Sequence, residues 1–539
     1  MLYCVKVKKI FLLLGQIPFI EESDERSYMF SKAYSAAIHG IDGVIVNVEA
    51  DVSDGLPTFE MVGFLSSEVR EAKERVRISI KNSGFRLSPK RITINLSPAD
   101  LKKEGTAFDL PIAVTILSAF GYITQSNLEH TLIIGELSLN GQINPVNGVL
   151  PIVHSAKEQG FYRCIVPIAN VKEGAVVSDI DVIGVNTLEQ VVQYLNNDKY
   201  IEPEYVDIDS LFQNQMMQSA NDFSDVTGQE STKRAILVAV SGMHNILMIG
   251  PPGSGKTMLS KRIPSIMPEL SFDESMEISK VYSVAGLLDN NHALVLERPF
   301  RAPHHTITTS ALAGGGKVPR PGEISLASRG VLFLDELPEF NKNTLEILRQ
   351  PLEDKSITIA RLNATYSYPT AFMLVAAMNP CNCGYYPDRK RCNCSINEVK
   401  RYLGKVSMPL MDRVDICSET YSVNYKDLEK KENSVSSLEL RKEVKRVREI
   451  QLERYKNEKF NFNSLLTPQL MNTYCGLERS EKKLLEDVFD KLNLTARAYH
   501  KILKVARTIA DLDDSERIKR IHLSEAISYR SIDKKYWGE

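Results

Sequence analysis

The sequence predicts an α/β fold built on a parallel sheet flanked by helices, with an α+β domain ahead of it and a helical domain behind it. Three observations predict it. Gly250-Pro-Pro-Gly-Ser-Gly-Lys-Thr257 fits the pattern G-x-x-x-x-G-K-[ST] and stands between an apolar run and a helical segment. Gly330-Val-Leu-Phe-Leu-Asp-Glu336 is a second apolar run, ending in two carboxylates. A third run, 372–376, leads into Met378-Asn379-Pro380. Short unbroken apolar runs of this kind are strands covered on both faces, as parallel strands are.

The composition is compatible with that fold. A chain of 539 residues is long enough for several domains with cores of their own. With 43% hydrophobic and 25% charged residues it reads as soluble and globular. A formal charge of −2 excludes binding of nucleic acid through bulk charge and leaves room for a local basic stripe. Four of the eight cysteines fall within 381–394, too uneven for a secreted disulfide framework. That points to a reducing, cytoplasmic compartment and one candidate metal site.

The elements follow in order. Residues 10–20 are apolar but interrupted by Gln16 and Pro18, and a membrane span needs about 20 residues. Lys6, Lys8 and Lys9 precede them as in a signal peptide, yet Glu21, Glu22 and Asp24 follow where a small-residue cleavage site belongs. Residues 1–28 are therefore expected to be a flexible or non-native extension, with the globular pattern starting at Met29. Residues 29–200 read as the α+β domain. Val44, Val46 and Val48 alternate as a strand does, and 91–96 alternates again. Val69, Ala72, Val76 and Ile80 form one stripe of a helix over 68–82, stopped by Gly84. Strands are expected over 132–137 and 165–167. Residues 201–225 lack periodicity and read as a linker. Residues 226–430 hold the three apolar runs, and the Gly/Pro-rich stretch 314–322 reads as a loop. Residues 431–539 read as helical, with a charged helix from Leu440 and N-caps at Ser480, Thr495 and Ser524.

The motifs carry chemistry. Gly250, Gly253 and Gly255, with Pro251, Pro252 and Ser254 between them, let the backbone wrap phosphate oxygens. The loop N–H groups and the helix N-terminus then stabilise the negative charge. Lys256 reaches the β/γ-phosphates and Thr257 offers a hydroxyl to Mg²⁺, so ATP and Mg²⁺ are the expected cofactors. Asp335, at the end of a strand, suits Mg²⁺ coordination through water, and Glu336 is placed to orient or deprotonate the attacking water. Asn379 is placed to hold that water against the γ-phosphate. Cys381-Asn-Cys383 and Cys392-Asn-Cys394 give C-x-C-x₈-C-x-C, a set suited to tetrahedral Zn²⁺. C-x-C is a less standard pair than C-x-x-C, and four free thiols or redox chemistry are the alternatives. Tyr385 and Tyr386, with Arg389, Lys390 and Arg391 between the pairs, suit single-stranded nucleic acid. Lys90, Arg91, Lys102 and Lys103 make the first domain locally basic, as a binding or as a merely solvated face.

The segments RPFRAPHHT (298–306), GGGKVPRPGEISLASRGVLFLDELPEF (314–340), AAMNPCNCGYYPD (376–388) and TARAYHKILKVARTIADL (495–512) resemble the YifB/ComM family, in the magnesium-chelatase-like branch of the AAA+ ATPases. The resemblance runs from about Met29 to Arg530. It implies that Arg413, in Leu410-Met-Asp-Arg-Val-Asp415, is an arginine finger entering a neighbour's site, and that Arg497, in Thr495-Ala-Arg, is the second sensor of a helical lid. Arg361 is a further candidate. It implies a hexameric ring, and a Lon-protease-like domain over 29–200. There the serine position aligns with Ala107 and the lysine position with Leu150, so no proteolysis is expected. The basic loop with Arg298, Arg301, His304, His305, Lys317 and Arg320 would face the pore and grip phosphates. The function implied is an ATP-driven motor that translocates on single-stranded and branched DNA and promotes branch migration in natural transformation. The alternative is a chelatase-type ATPase that remodels a protein or metallocofactor-insertion client. No membrane partner is expected.

Overall fold

A computed structural model describes residues 29–214, 221–289, 293–316, 319–361, 365–422, 435–492 and 494–537. The expected extension 1–28 and Lys317 lie outside the described residues.

The amino-terminal part is a seven-stranded sheet. From edge to edge its strands are Phe59–Val62, Arg91–Ser97, Asp42–Ser53, Phe30–His39, Thr131–Ile133, Arg163–Pro167 and Asp181–Val185. The long central pair is antiparallel, and the strands beyond Thr131 run parallel. Alternation buries Val46, Val48, Ala50 and Val52. The helix Ser67–Asn82 starts where the Ser66 side chain accepts the Val69 N–H, and it buries the stripe read from sequence. The run 132–137 is two strands rather than one. Gly135 donates to the Ala107 carbonyl and accepts from the Leu110 N–H, so its main chain serves the start of the helix Asp109–Ala119 and leaves the ladder.

The stretch 201–225 is more than a linker. It contains the helix Ile208–Asn214, and Val206, Ile208 and Leu211 pack on the apolar cluster around the helix Val149–Glu158. Phe223 is fully buried in the following core. The pieces are too short for a periodicity to reveal them.

The second sheet is all parallel, in the order Phe300–Arg301, Val331–Leu334, Met373–Met378, Ile246–Ile249, Ile416–Glu419. Its three central strands are buried throughout, and helices cover both faces. The expected loop 314–322 carries a short antiparallel ladder, pairing Gly314 with Pro321 and Gly315 with Arg320. A hairpin, Ser356–Ala360 with Thr365–Pro369, leans on the first sheet, where Tyr366 stacks on His39 at 4.9 Å.

The carboxyl-terminal helices are Ser437–Arg454, Met471–Tyr474, Arg479–Lys491, Ala496–Leu512 and Arg520–Trp537. Thr495 caps its helix as expected, accepting from the Ala498 N–H. The other two expected caps are corrected. Glu478 is the N-cap of the helix that contains Ser480. Ser524 lies inside the last helix and donates back to the Arg520 carbonyl, while the His522 ring accepts the Lys519 N–H at that helix's start. Among the described residues, no helix is long and apolar enough to cross a membrane.

Candidate nucleotide site and thiol cluster

The phosphate loop leaves the strand Ile246–Ile249 and ends in the helix Lys256–Ile266, whose N-cap Gly255 has φ +84°, a conformation open to glycine. The Lys256 ammonium donates to the carbonyls of Gly250 (2.8 Å) and Pro251 (2.9 Å) and to Asn379 Oδ1 (3.2 Å). Burial lowers its pKa to about 8, against the opposing pull of Asp335 and Glu336. Thr257 Oγ1 donates to Asp335 Oδ2 at 2.6 Å. Strand ends from three separate stretches of chain thus bring the lysine, hydroxyl, carboxylate and amide together, at the carboxyl edge of a parallel sheet where ligands of such folds bind. The group can hold a nucleotide phosphate chain and its Mg²⁺.

Glu336 follows in a left-handed turn, φ +51° and ψ +47°, with its N–H donating to Asp335 Oδ1 and its carboxylate exposed. His305 Nδ1 lies 3.7 Å from Glu336 Oε2. That neighbour was missed in the sequence, where His305 reads as part of the basic loop. Sequence reasoning also missed Thr420 and Gln229. Thr420 hydrogen-bonds Ser254 Oγ (2.8 Å), and Gln229 donates to the Ser254 carbonyl (3.2 Å). Neither stands in a motif, and no local signal marks either.

Arg413 and Arg497 do not join this group. The Asn245 side chain donates to the Arg413 carbonyl, which places that segment at the opposite, amino edge of the sheet. The Arg413 guanidinium folds onto its own chain, donating to the Arg349 carbonyl (3.1 Å) and to Glu353 Oε1 (2.6 Å), with its side chain only 10% exposed. Arg497 is 67% exposed and lies 3.9 Å from Asp412, beside Arg413. Arg361 is exposed at the base of the hairpin's connection.

The basic loop is corrected at two positions. Arg298 is buried and spends its donors on the carbonyls of Pro268, Glu269 and Arg329 and on Glu274. Arg301 makes a bidentate pair with Glu323, at 2.6 and 2.7 Å. Both brace the fold, and of that loop His304 and Arg320 are exposed. The basic face of the first domain shrinks likewise. Lys103 is fully buried and donates to the Pro98 carbonyl, Lys102 pairs with Glu104, Lys90 with Asp54 and Arg91 with Glu60.

Ala107 and Leu150 offer neither nucleophile nor base. Leu150 is buried, with Ala107 packed against the same apolar cluster. The Leu150 N–H donates to Glu173, a carboxyl whose pKa is raised by burial.

The four cysteines converge. Their sulfurs all lie within 4.8 Å of one another, with Cys381 to Cys383 at 3.3 Å, Cys383 to Cys392 at 3.5 Å and Cys381 to Cys392 at 3.7 Å. Four Zn–S bonds of about 2.3 Å span a tetrahedron with edges of about 3.8 Å, so the set fits a tetrathiolate ion. The Tyr386 N–H donates to Cys381 Sγ, as an outer shell does to a ligating thiolate. Arg391 lies over the Tyr385 ring at 4.2 Å and Arg389 over Tyr386 at 5.1 Å.

Comparison with known proteins gives this geometry its relatives. Residues 222–428 match the family model "Magnesium chelatase, subunit ChlI", 48–170 match "Subunit ChlI of Mg-chelatase", and 434–530 match "Magnesium chelatase, subunit ChlI C-terminal". Over 500 residues the chain is 41% identical to the competence protein ComM of Haemophilus influenzae, covering 93% of this chain and 97% of that one. It is 39% identical over 506 residues to the uncharacterized protein YifB of Salmonella typhimurium, at 93% and 97% coverage. It is also 29% identical over 147 residues to Lon protease 2 of Bacillus subtilis, covering 26% of each chain. The α/β core is an AAA+ P-loop fold with a Lon-like domain before it, and the chain belongs to the YifB/ComM family of magnesium-chelatase-like proteins.

Proposed function

We propose that the chain is a cytoplasmic, ATP-hydrolysing hexameric ring motor that translocates on single-stranded and branched DNA and drives branch migration in natural transformation. The observation that carries this reading is the likeness, over 93% of the chain, to a protein named for competence. In this reading the loop 250–257 and Asp335 hold ATP and Mg²⁺, Glu336 activates water, and Asn379 positions it. Arg413 and Arg497 share the face opposite the phosphate loop, so they serve a neighbour's nucleotide, and Arg413 leaves Glu353 to do so. Cys381, Cys383, Cys392 and Cys394 hold Zn²⁺, which supplies a structural cross-link. DNA phosphates meet exposed Arg320, Arg361, Arg389, Lys390 and Arg391. The family models favour a second reading, a chelatase-type ATPase acting on a protein or metallocofactor-insertion client.

The test is the ATPase rate in moderate salt, alone, with single-stranded DNA and with a four-way junction, alongside movement of a labelled junction. We expect DNA to raise turnover several-fold, stimulation to fall with salt, and junction movement to require ATP. Turnover that no DNA changes rules out the DNA motor and leaves the second reading.

A further inference from the structure

We propose that metal in the four-thiolate site sets the shape of the nucleotide site, so that the motor binds nucleotide fully only when loaded with zinc. The proposal rests on the zinc reading above and adds a regulatory consequence to it.

The thiolate knot and one of the three stretches that build the nucleotide site are one piece of chain. A single residue, Pro380, separates Asn379 from Cys381. Asn379 accepts from the Lys256 ammonium, and Cys381 is fully buried in the cluster that also holds Met378. Three residues further on, the knot touches the phosphate loop directly. Gly384 has φ +85°, and a Cβ there would lie 2.5 Å from Pro252 Cδ. Its backbone therefore sits flush against the loop with no space for a side chain. Its N–H donates to the Cys381 carbonyl, tying that contact to the first thiolate. Residues 379–384 thus touch the phosphate loop at two points, Lys256 and Pro252, and carry two of the four sulfurs.

The knot needs an ion to keep this shape. Without an ion the four sulfurs, all within 4.8 Å of one another, are protonated thiols joined only by weak S–H···S contacts, and a cation at their centre displaces those protons and turns the set into a cross-link. Between the two cysteine pairs the three cations are exposed and the tyrosines are half-buried against the core, so packing seats the tyrosines and an ion is what joins the four sulfurs. Loss of the ion frees Gly384 from Pro252 and Asn379 from Lys256. The nucleotide then meets a site no longer held in its binding geometry.

The experiment uses the full chain, purified with reductant and zinc. It measures zinc per chain, circular dichroism, and affinity for a fluorescent ADP analogue. Wild type should carry one zinc. Cys394→Ser, at a half-exposed thiol, should lose the zinc, keep the helical signal, and bind the analogue about tenfold more weakly or worse. Gly384→Ala should keep the zinc and show the same loss of affinity. Should Cys394→Ser not fold, wild type treated with a zinc-selective chelator gives the same reading, and its affinity should return with zinc and not with magnesium. Wild type without zinc overturns the zinc reading and this proposal together. Zinc in wild type, with unchanged affinity in Gly384→Ala and in the zinc-free protein, overturns the coupling alone.

Discussion

The Lys256 ammonium must be charged to hold a phosphate, yet it sits out of water among carbonyl oxygens. Its pKa of about 8 lies well below the ordinary lysine value because burial penalises the charge. Below that pH the lysine is charged already and affinity for nucleotide is flat. Above it, binding must take up a proton, so the dissociation constant should rise by about tenfold per pH unit until the pKa of the bound state is reached. Titration of a fluorescent ATP analogue between pH 7 and 9.5 checks this, and a flat profile to pH 9.5 contradicts the buried-ammonium geometry. At this scale the sequence was legible where a motif fixes both residue and neighbour, as in Lys256 with Thr257. It was not legible where the partner comes from far along the chain. His305 beside Glu336, and Arg301 at the end of the edge strand on Glu323, have roles that depend on what the fold brings to them. Arg298 reads as a surface cation because nothing local announces its burial.

Secondary structure was legible where local signals agree. The helix Ser67–Asn82 has a cap, an apolar stripe and a stop in one window. Ser480 and Ser524 fail as caps because a serine is also accommodated inside a helix, as Ser524 is by bonding back to the Arg520 carbonyl, and other groups take the cap positions. Contacts between elements were not legible. The helix Phe272–Ala285 of the ATPase core runs onto the Lon-like domain, where the Ser283 carbonyl accepts the Gly148 N–H and Lys280 approaches His154. The centre of this joint is Glu173. Its carboxylate accepts from the Leu150 N–H (2.9 Å), from Asn170 (3.0 Å) and from the Ser283 hydroxyl. The helix Val149–Glu158, which carries Leu150 at the position aligned with a protease's lysine, is thus pinned to the P-loop core. Glu173→Ala leaves those buried donors without an acceptor, which costs about 1–3 kcal/mol. The expected result is a lower denaturation midpoint, with faster proteolytic separation of the Lon-like domain from the core. An unchanged midpoint and cleavage pattern contradict the assignment of Glu173 as the joint.

At the scale of the whole molecule the arrangement is polar. The phosphate loop leaves the carboxyl end of the strand Ile246–Ile249, and Asn245, just before that strand, holds the Arg413 segment. Lid cations gather at the same end: Lys501 and Arg530 both donate to the Val414 carbonyl, and Arg497 lies near Asp412. A single chain therefore cannot bring its own Arg413 to its own phosphate loop without dismantling the sheet between them. A head-to-tail neighbour can supply it, since a heterologous contact that closes forms a ring. This separation was legible only through the family resemblance, because motif order says nothing about which end of a strand a residue occupies. It yields a mixing test. Lys256→Ala and Arg413→Ala should each be inactive alone. In an equal mixture, roughly one interface in four joins an intact phosphate loop to an intact Arg413, as random heterologous pairing requires. Turnover should then reappear at up to about a quarter of the wild-type rate, and at less where the ring fires in concert. Activity must also depend on subunit exchange, rising with time after mixing. A mixture as inactive as its components, while pull-down through a tag on one variant recovers both chains, contradicts a finger given from one chain to the next. Each chain would then complete its own site, and Arg413, bound to Glu353 and the Arg349 carbonyl, would be a brace of the amino edge of the sheet.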